Sequence, residues 1–215
     1  TPAVKIANNA TGMKVAWSKV AGATGYTVYR SELQNGAWTK WKTMGTAKAD
    51  KSSWVDKSVV SGVEYKYTVR AVVNKAASGF VDSNVVMNLA QPTVKAGNVT
   101  NGVNVSWNAV NGAQGYKVYR AVYNASTKKW SGWSELGTVA ETNCVDSAVT
   151  NGAYYRYTVR AINGKYKSSY IDSNSLVFLS VPTVKIANDT TGVKVSWNKI
   201  TGATPSSTFN AHTGN

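Results

Sequence analysis

The chain has 215 residues, 43% hydrophobic and 16% charged, which supplies enough apolar material for packed cores and excludes compositional disorder. The formal net charge of +14 is dispersed as +7 over residues 1–90, +5 over 91–181 and +2 over 182–215. No block of five or six consecutive basic residues occurs, which argues against a nucleic-acid arm. No run of about 18 apolar residues is present, so insertion of a helix into a membrane is not expected. Cys144 is the single cysteine, so no intrachain disulfide forms and stability must come from the core. Thr1-Pro2-Ala3 lacks a basic-then-apolar signal segment, and a mature or excised chain is expected. The diffuse positive field favours anionic surfaces such as phosphate-rich wall polymers or acidic glycans, and it also serves solubility alone.

In chain order, the segment Pro2-Ala3-Val4-Lys5-Ile6 returns as Pro92-Thr93-Val94-Lys95 and again as Pro182-Thr183-Val184-Lys185-Ile186, at a step of 90 residues. Trp17, Trp107 and Trp197 keep that step, as do Gly22-Ala23-Thr24-Gly25-Tyr26 and Gly112-Ala113-Gln114-Gly115-Tyr116. Fixed-period repetition divides the chain into modules 1–90 and 91–181 and the start of a third copy over 182–215. Met13, Val15 and Trp17 alternate with Lys14, Ala16 and Ser18, a period of two that reads as a half-buried strand. Tyr26-Thr27-Val28-Tyr29 is a second β-favouring run. Tyr65, Tyr67, Val69 and Ala71 alternate with Lys66, Thr68 and Arg70. With Gly, Asn, Ser and Thr filling the gaps, each copy predicts about seven strands of an all-β sandwich.

The combination Val15-x-Trp17, Gly25-Tyr26-x-Val28-Tyr29 and Gly62-x-x-Tyr65-x-Tyr67-x-Val69-x-Ala71 resembles a fibronectin type III module. So does its second set, Val105, Trp107, Gly115, Tyr116, Val118, Tyr119, Gly152, Tyr155, Tyr157, Val159 and Ala161. The texture is similar to tandem modules of Gram-positive bacterial surface or secreted proteins. The resemblance implies immunoglobulin-like sandwiches with Trp17 and Trp107 in the core beside Tyr67 and Tyr157. It also places Tyr65 and Tyr155 at the tyrosine corner, where a phenol bonds nearby backbone. The Arg-Gly-Asp tripeptide of some members is absent, so integrin binding by that route is not implied.

Catalytic chemistry finds no support. His212 is the only histidine, which excludes a Ser/His/Asp triad built elsewhere and a zinc site of ordinary ligand number. Asp56 and Asp146 end matching strands, as do Asp82 and Asp172; turn formation is expected of them rather than calcium binding. Cys144 aligns with Trp54 and reads as a buried core site, not a reactive thiol. Trp38 and Trp41 recur as Trp130 and Trp133. On one regular strand the members of each pair face opposite ways. With Met44 and Leu136 taken as core positions, Trp41 and Trp133 face outward, where they either stack on sugar rings or cover the sandwich edge.

These readings predict a non-catalytic, cofactor-free, extracellular spacer or adhesion module that presents neighbouring domains of a longer chain, at a bacterial cell surface or in a secreted protein. Carbohydrate binding through Trp41 and Trp133 is the alternative. In the third copy the tyrosine strand that should follow Thr201-Gly202-Ala203-Thr204 is missing. Its first two strands alone cannot close a sandwich, so residues 183–200 are expected to seek a partner, with strand exchange one route.

Overall fold

The computed structural model describes residues 1–203, and every regular element among them is a β-strand. The first module comprises β1 (Val4–Asn9), β2 (Gly12–Trp17), β3 (Gly25–Gln34), β4 (Ala37–Trp38), β5 (Lys42–Lys48), β6 (Ser53–Asp56), β7 (Glu64–Val73), β8 (Ala76–Ala77) and β9 (Val86–Met87). β1, β2 and β6 make one antiparallel sheet; β5, β3, β7 and β9 make the other, with β4 and β8 as short hairpin extensions. The second module repeats the plan with β10 (Val94–Val99), β11 (Gly102–Trp107), β12 (Gly115–Asn124), β13 (Lys129–Trp130), β14 (Ser134–Val139), β15 (Asn143–Asp146), β16 (Tyr154–Asn163), β17 (Tyr166–Lys167) and β18 (Leu176–Val177). A two-stranded hairpin follows, β19 (Val184–Asp189) and β20 (Gly192–Trp197), with Val184 opposite Trp197.

The alternation in the sequence becomes two-faced burial. Met13, Val15 and Trp17 of β2 point into the first core beside Val4 and Ile6, and meet Tyr26, Val28, Tyr65, Tyr67, Val69 and Ala71 from the facing sheet. Trp17 is 5% exposed and Trp107 7% exposed. Four phenols hold backbone as well as filling space. The N–H groups of Val60 and Thr150 donate to the hydroxyls of Tyr65 and Tyr155 at 2.8 and 2.9 Å. Those of Val20 and Val110 donate to Tyr26 and Tyr116, each at 2.9 Å.

A buried ion pair joins the two sheets of each module. The Asp56 carboxylate, at the end of β6 and 1% exposed, accepts from Arg30 Nη1 of β3 at 2.9 Å and from the Tyr67 hydroxyl of β7 at 2.8 Å. Its other oxygen accepts from the Ser58 N–H and hydroxyl at 2.9 and 2.7 Å. Asp146 repeats this with Arg120 at 2.9 Å, Tyr157 at 3.0 Å and the Ala148 N–H at 3.1 Å. The turn role expected of these aspartates is therefore half of what they do. Burial works against the charge of Asp56, but the donors of Ser58, Tyr67 and Arg30 outweigh it and hold the carboxyl below its ordinary value of 3.8. Burial against the same carboxylate pushes the Tyr67 phenol up, so it remains a neutral donor.

Three local expectations change. Met44 and Leu136 are not core residues. Val28 pairs with Gly45 and Tyr29 with Thr43, so Met44 is the extra residue of a β-bulge; Leu136 is the same between Gly137 and Glu135. The bulge shifts parity by one. Trp38 and Trp41 also do not share one strand: Trp38 ends β4 and Trp41 lies in the connection before β5, where no strand covers residues 39–41, and both rings reach the same ammonium instead of opposite faces. Cys144 is half-buried at the module's edge, opposite Val105, where Trp54 stands opposite Val15. The smaller side chain leaves a cleft of about 260 Å3 among Val118, Leu136, Val139 and Cys144.

The β19–β20 hairpin presents its apolar residues outward, with Ile186 72% and Trp197 59% exposed. His212 lies outside the described residues.

Trp107→Ala should cost about 3–5 kcal/mol in a denaturant melt, the cavity cost of a core tryptophan, and Tyr155→Phe about 1 kcal/mol. In acid, the unfolded Asp56 takes up its proton at higher pH than the native one. Its stabilisation is thus complete above the ordinary carboxylate value and is lost as pH falls through the lower native value. Asp56→Asn should be less stable by about 3–5 kcal/mol near neutrality, since it strands the buried Arg30, and should show a flatter decline below about pH 4 in acid melts.

Candidate functional site

Two surfaces recur in both modules. The first lies on the outer face of the four-stranded sheet, on strand positions that alternate with the core residues Val28, Tyr67 and Val69. In the first module a cleft of about 120 Å3 is lined by Tyr29, Trp41, Thr68, Arg70 and Phe80. Its counterpart, of about 200 Å3, is lined by Tyr119, Trp133, Thr158, Arg160, Lys167 and Tyr170. Matching residues lie 90 positions apart, 92 for the tryptophans.

Cations and rings alternate along this face. Lys66 Nζ stands 5.1 Å over Trp38 and 5.3 Å over Trp41, and Arg70 stands 5.3 Å over Phe80, whose ring meets Trp41 edge-on at 6.4 Å. In the second module Arg156 lies 4.6 Å over Trp130 and 5.2 Å over Trp133, while Arg160 lies 4.5 Å over Tyr170. Lys66 is also paired with Asp82 at 2.9 Å and Arg156 with Asp172 at 3.0 Å. Trp41 and Trp133 are thus brought to the outer face, yet each is half-buried with one ring face covered by a cation. Sequence reasoning missed the cations, although the alternation of Lys66 and Arg156 with the core tyrosines already placed them on that face.

Lys117 donates to Glu135 at 2.7 Å, a bond that raises the lysine and lowers the carboxyl; burial, then Glu135, pushes the Tyr119 phenol up. No nucleophile–base pair is assembled on this face, and among the described residues no three His, Cys, Asp or Glu side chains cluster as metal ligands would.

The second surface is the junction. Ser61 Oγ donates to Asn111 O at 2.7 Å, and Asn111 Nδ2 donates back to Ser61 O at 2.9 Å. Ser61 Oγ also accepts the Ala90 N–H at 3.0 Å, closing the connecting segment onto the first module. Leu89, from that segment, is fully buried in the second module's core. Asn8 Nδ2 donates to Lys167 O at 2.9 Å, and the Tyr166 phenol is pushed up to about 12 by burial and by Glu64 across the junction. Gly62 and Gly112 meet backbone to backbone with φ of 89° and 84°, and a Cβ on Gly112 would run into Gly62. At the next junction Gly152 meets Gly202, Leu179 packs beside Gly202, and Asn151 accepts the Ser180 N–H at 2.7 Å.

No protein-family model matches the chain. It is 29% identical over 100 residues to an amylopullulanase of Thermoanaerobacterium saccharolyticum, a match that covers 46% of this chain and 8% of that protein. Similar solved structures include a two-domain fibronectin type III segment of chicken tenascin, at 16% identity, 82% and 98% coverage of the two chains and a TM-score of 0.38. The alpha chain of the chicken interferon gamma receptor is another, at 10% identity, 82% and 97% coverage and a TM-score of 0.42. The strand order, three strands facing four with a tyrosine corner in each copy, sets the type independently of these scores. The fold is that of tandem fibronectin type III-like modules.

If the cations brace the aromatic face, Arg156→Gln should lower stability by about 1 kcal/mol, the scale of a partly exposed cation–π contact. It should also alter Trp130 and Trp133 fluorescence while leaving the Trp107 core environment unchanged by NMR.

Proposed function

We propose that the chain is a non-catalytic, extracellular spacer whose modules hold neighbouring domains of a longer protein at a set angle, in a secreted protein or at a bacterial cell surface. The observation that carries this reading is the junction repeated at a step of 90 residues: Gly62 on Gly112, then Gly152 on Gly202. A flexible tether needs no such contact, whereas a connection that buries Leu89 and closes Ala90 onto Ser61 restricts the hinge. The β19–β20 hairpin occupies at the second junction the place that β10–β11 occupies at the first, which supports in-line continuation over exchange of residues 183–200 between chains. The likeness to part of an amylopullulanase supports a place beside an enzyme's other domains. Fold alone does not select between spacer and ligand-binding roles; the built junction supports the spacer role.

Gly22 is the first-module counterpart of Gly112, with φ of 75° and open space around it. Gly112→Ala and Gly22→Ala should therefore lose similar stability from backbone strain, about 1 kcal/mol or more. Only Gly112→Ala should broaden the inter-module distance distribution measured between spin labels on the two modules. Equal distributions for both variants and the parent would defeat the reading.

A further inference from the structure

The two outer-face clefts are not equivalent. Phe80 of the first is Tyr170 in the second, and Ala77, at the position matching Lys167, contributes nothing to the first cleft. The second cleft is larger, at about 200 Å3 against about 120 Å3. Its cations are also differently placed. Lys117 and Arg156 are spent on Glu135 and Asp172, but neither Arg160 nor Lys167 has a carboxylate within 4.0 Å among the described residues. Arg70, the counterpart of Arg160, has its Nε committed to Ser78 O at 2.8 Å. The backbone that carries Lys167 is held by Asn8 of the preceding module, so the cleft is fixed in place by the junction.

We infer that the second module's cleft binds an acidic saccharide, with Arg160 and Lys167 taking the carboxylate of a uronic unit. Tyr119, Trp133 and Tyr170 wall the cleft and offer ring surface to the sugar's C–H face, while the Tyr170 hydroxyl suits its hydroxyls. The planar guanidinium and the ammonium supply charge-assisted bonds to the carboxylate. The aromatic walls favour a ring-bearing ligand over a linear phosphate polymer. One isolated cleft below the usual 300–1,000 Å3 of a ligand pocket matches a single sugar unit, not the continuous groove with successive stacking platforms that a single-stranded nucleic acid uses. The first module, lacking the hydroxyl and the lysine, does not bind. This goes beyond the spacer reading and stands or falls without it.

The test is an NMR titration of the whole chain with trigalacturonic acid, reading the indole N–H signals of Trp133 and Trp41, with Trp107 reporting the fold. The expected result is a saturable shift at Trp133, weakened by added salt, with Trp41 unmoved. Lys167→Ala combined with Tyr170→Phe, which copies the first module's residues, should weaken binding at least about tenfold, the loss expected on removing a charge-assisted bond. The converse pair, Ala77→Lys with Phe80→Tyr, should give Trp41 a response. Maltotriose, polyglycerol phosphate and a thymidine hexanucleotide are the comparison ligands. An equal response to any of these, a parallel shift at Trp41 in the parent chain, no saturable shift at Trp133, or undiminished binding in the double variant would each overturn the assignment.

Discussion

The buried carboxylate of Asp56, repeated as Asp146, is the contact on which each module's architecture depends. It sits on the three-stranded sheet and takes donors from two strands of the facing sheet, Arg30 and Tyr67 in one copy and Arg120 and Tyr157 in the other. Apolar packing between sheets is tolerant of sliding, because one aliphatic contact replaces another at little cost. A charge removed from water is not tolerant, since each ion loses several kcal/mol of hydration unless its partners are correctly placed. The pair therefore contributes little certain net stability but penalises any other alignment of the sheets. The rings of Tyr65 and Tyr155 lie 5.3 and 5.8 Å from the two guanidinium groups and cover them.

From that fixed alignment the outer features follow. Arg30 and Tyr67 are cross-strand partners on β3 and β7, so pinning them sets the register at which Tyr29 stands opposite Thr68 and Thr27 opposite Arg70. Of these, Tyr29, Thr68 and Arg70 line the outer cleft. The same register brings Lys66 and Arg156 beneath the tryptophans that end β4 and β13 and those that just precede the bulged strands β5 and β14. The core side of the sheet thus dictates the spacing of cations and rings on its wet side, which explains why both modules build the ladder from different cations, lysine in one and arginine in the other.

The strand pattern and the tyrosine corners were legible because they rest on period-two alternation and on aromatic spacing, both local properties of the chain. The inside–outside errors arose at one bulge per module. Counting from Met44 or Leu136 assumes an unbroken pleat, and a single extra residue reverses every inside–outside assignment on one side of it. The error passed to Trp38 and Trp41, which the interrupted strand brings together on one lysine. Asp56 was visible only as a strand end, because its partners Arg30 and Tyr67 lie 26 and 11 residues away and belong to the opposite sheet. The junction glycines were visible as turn residues, but nothing local to Gly62 points to Gly112, 50 residues on. Cys144 was read as core from its alignment with Trp54; a position at the rim of a sandwich accepts a smaller residue by opening a cleft rather than by collapse.

Differences between the copies separate what the fold requires from what it leaves free. The pairs Trp17 and Trp107, Tyr67 and Tyr157, Asp56 and Asp146, and Gly62 and Gly152 are identical, and each is buried or sits at a backbone contact that a side chain would break. The copies diverge at Ala77 and Lys167, Phe80 and Tyr170, and Trp54 and Cys144, all at an edge or on the outer face. Substitutions on the outer face leave the core and the junction contacts untouched, so that face can vary between copies without disturbing either. A repeated tryptophan is therefore weak evidence of a repeated site. Trp41 and Trp133 share a structural setting under their cations, and the two clefts differ in the residues beside them.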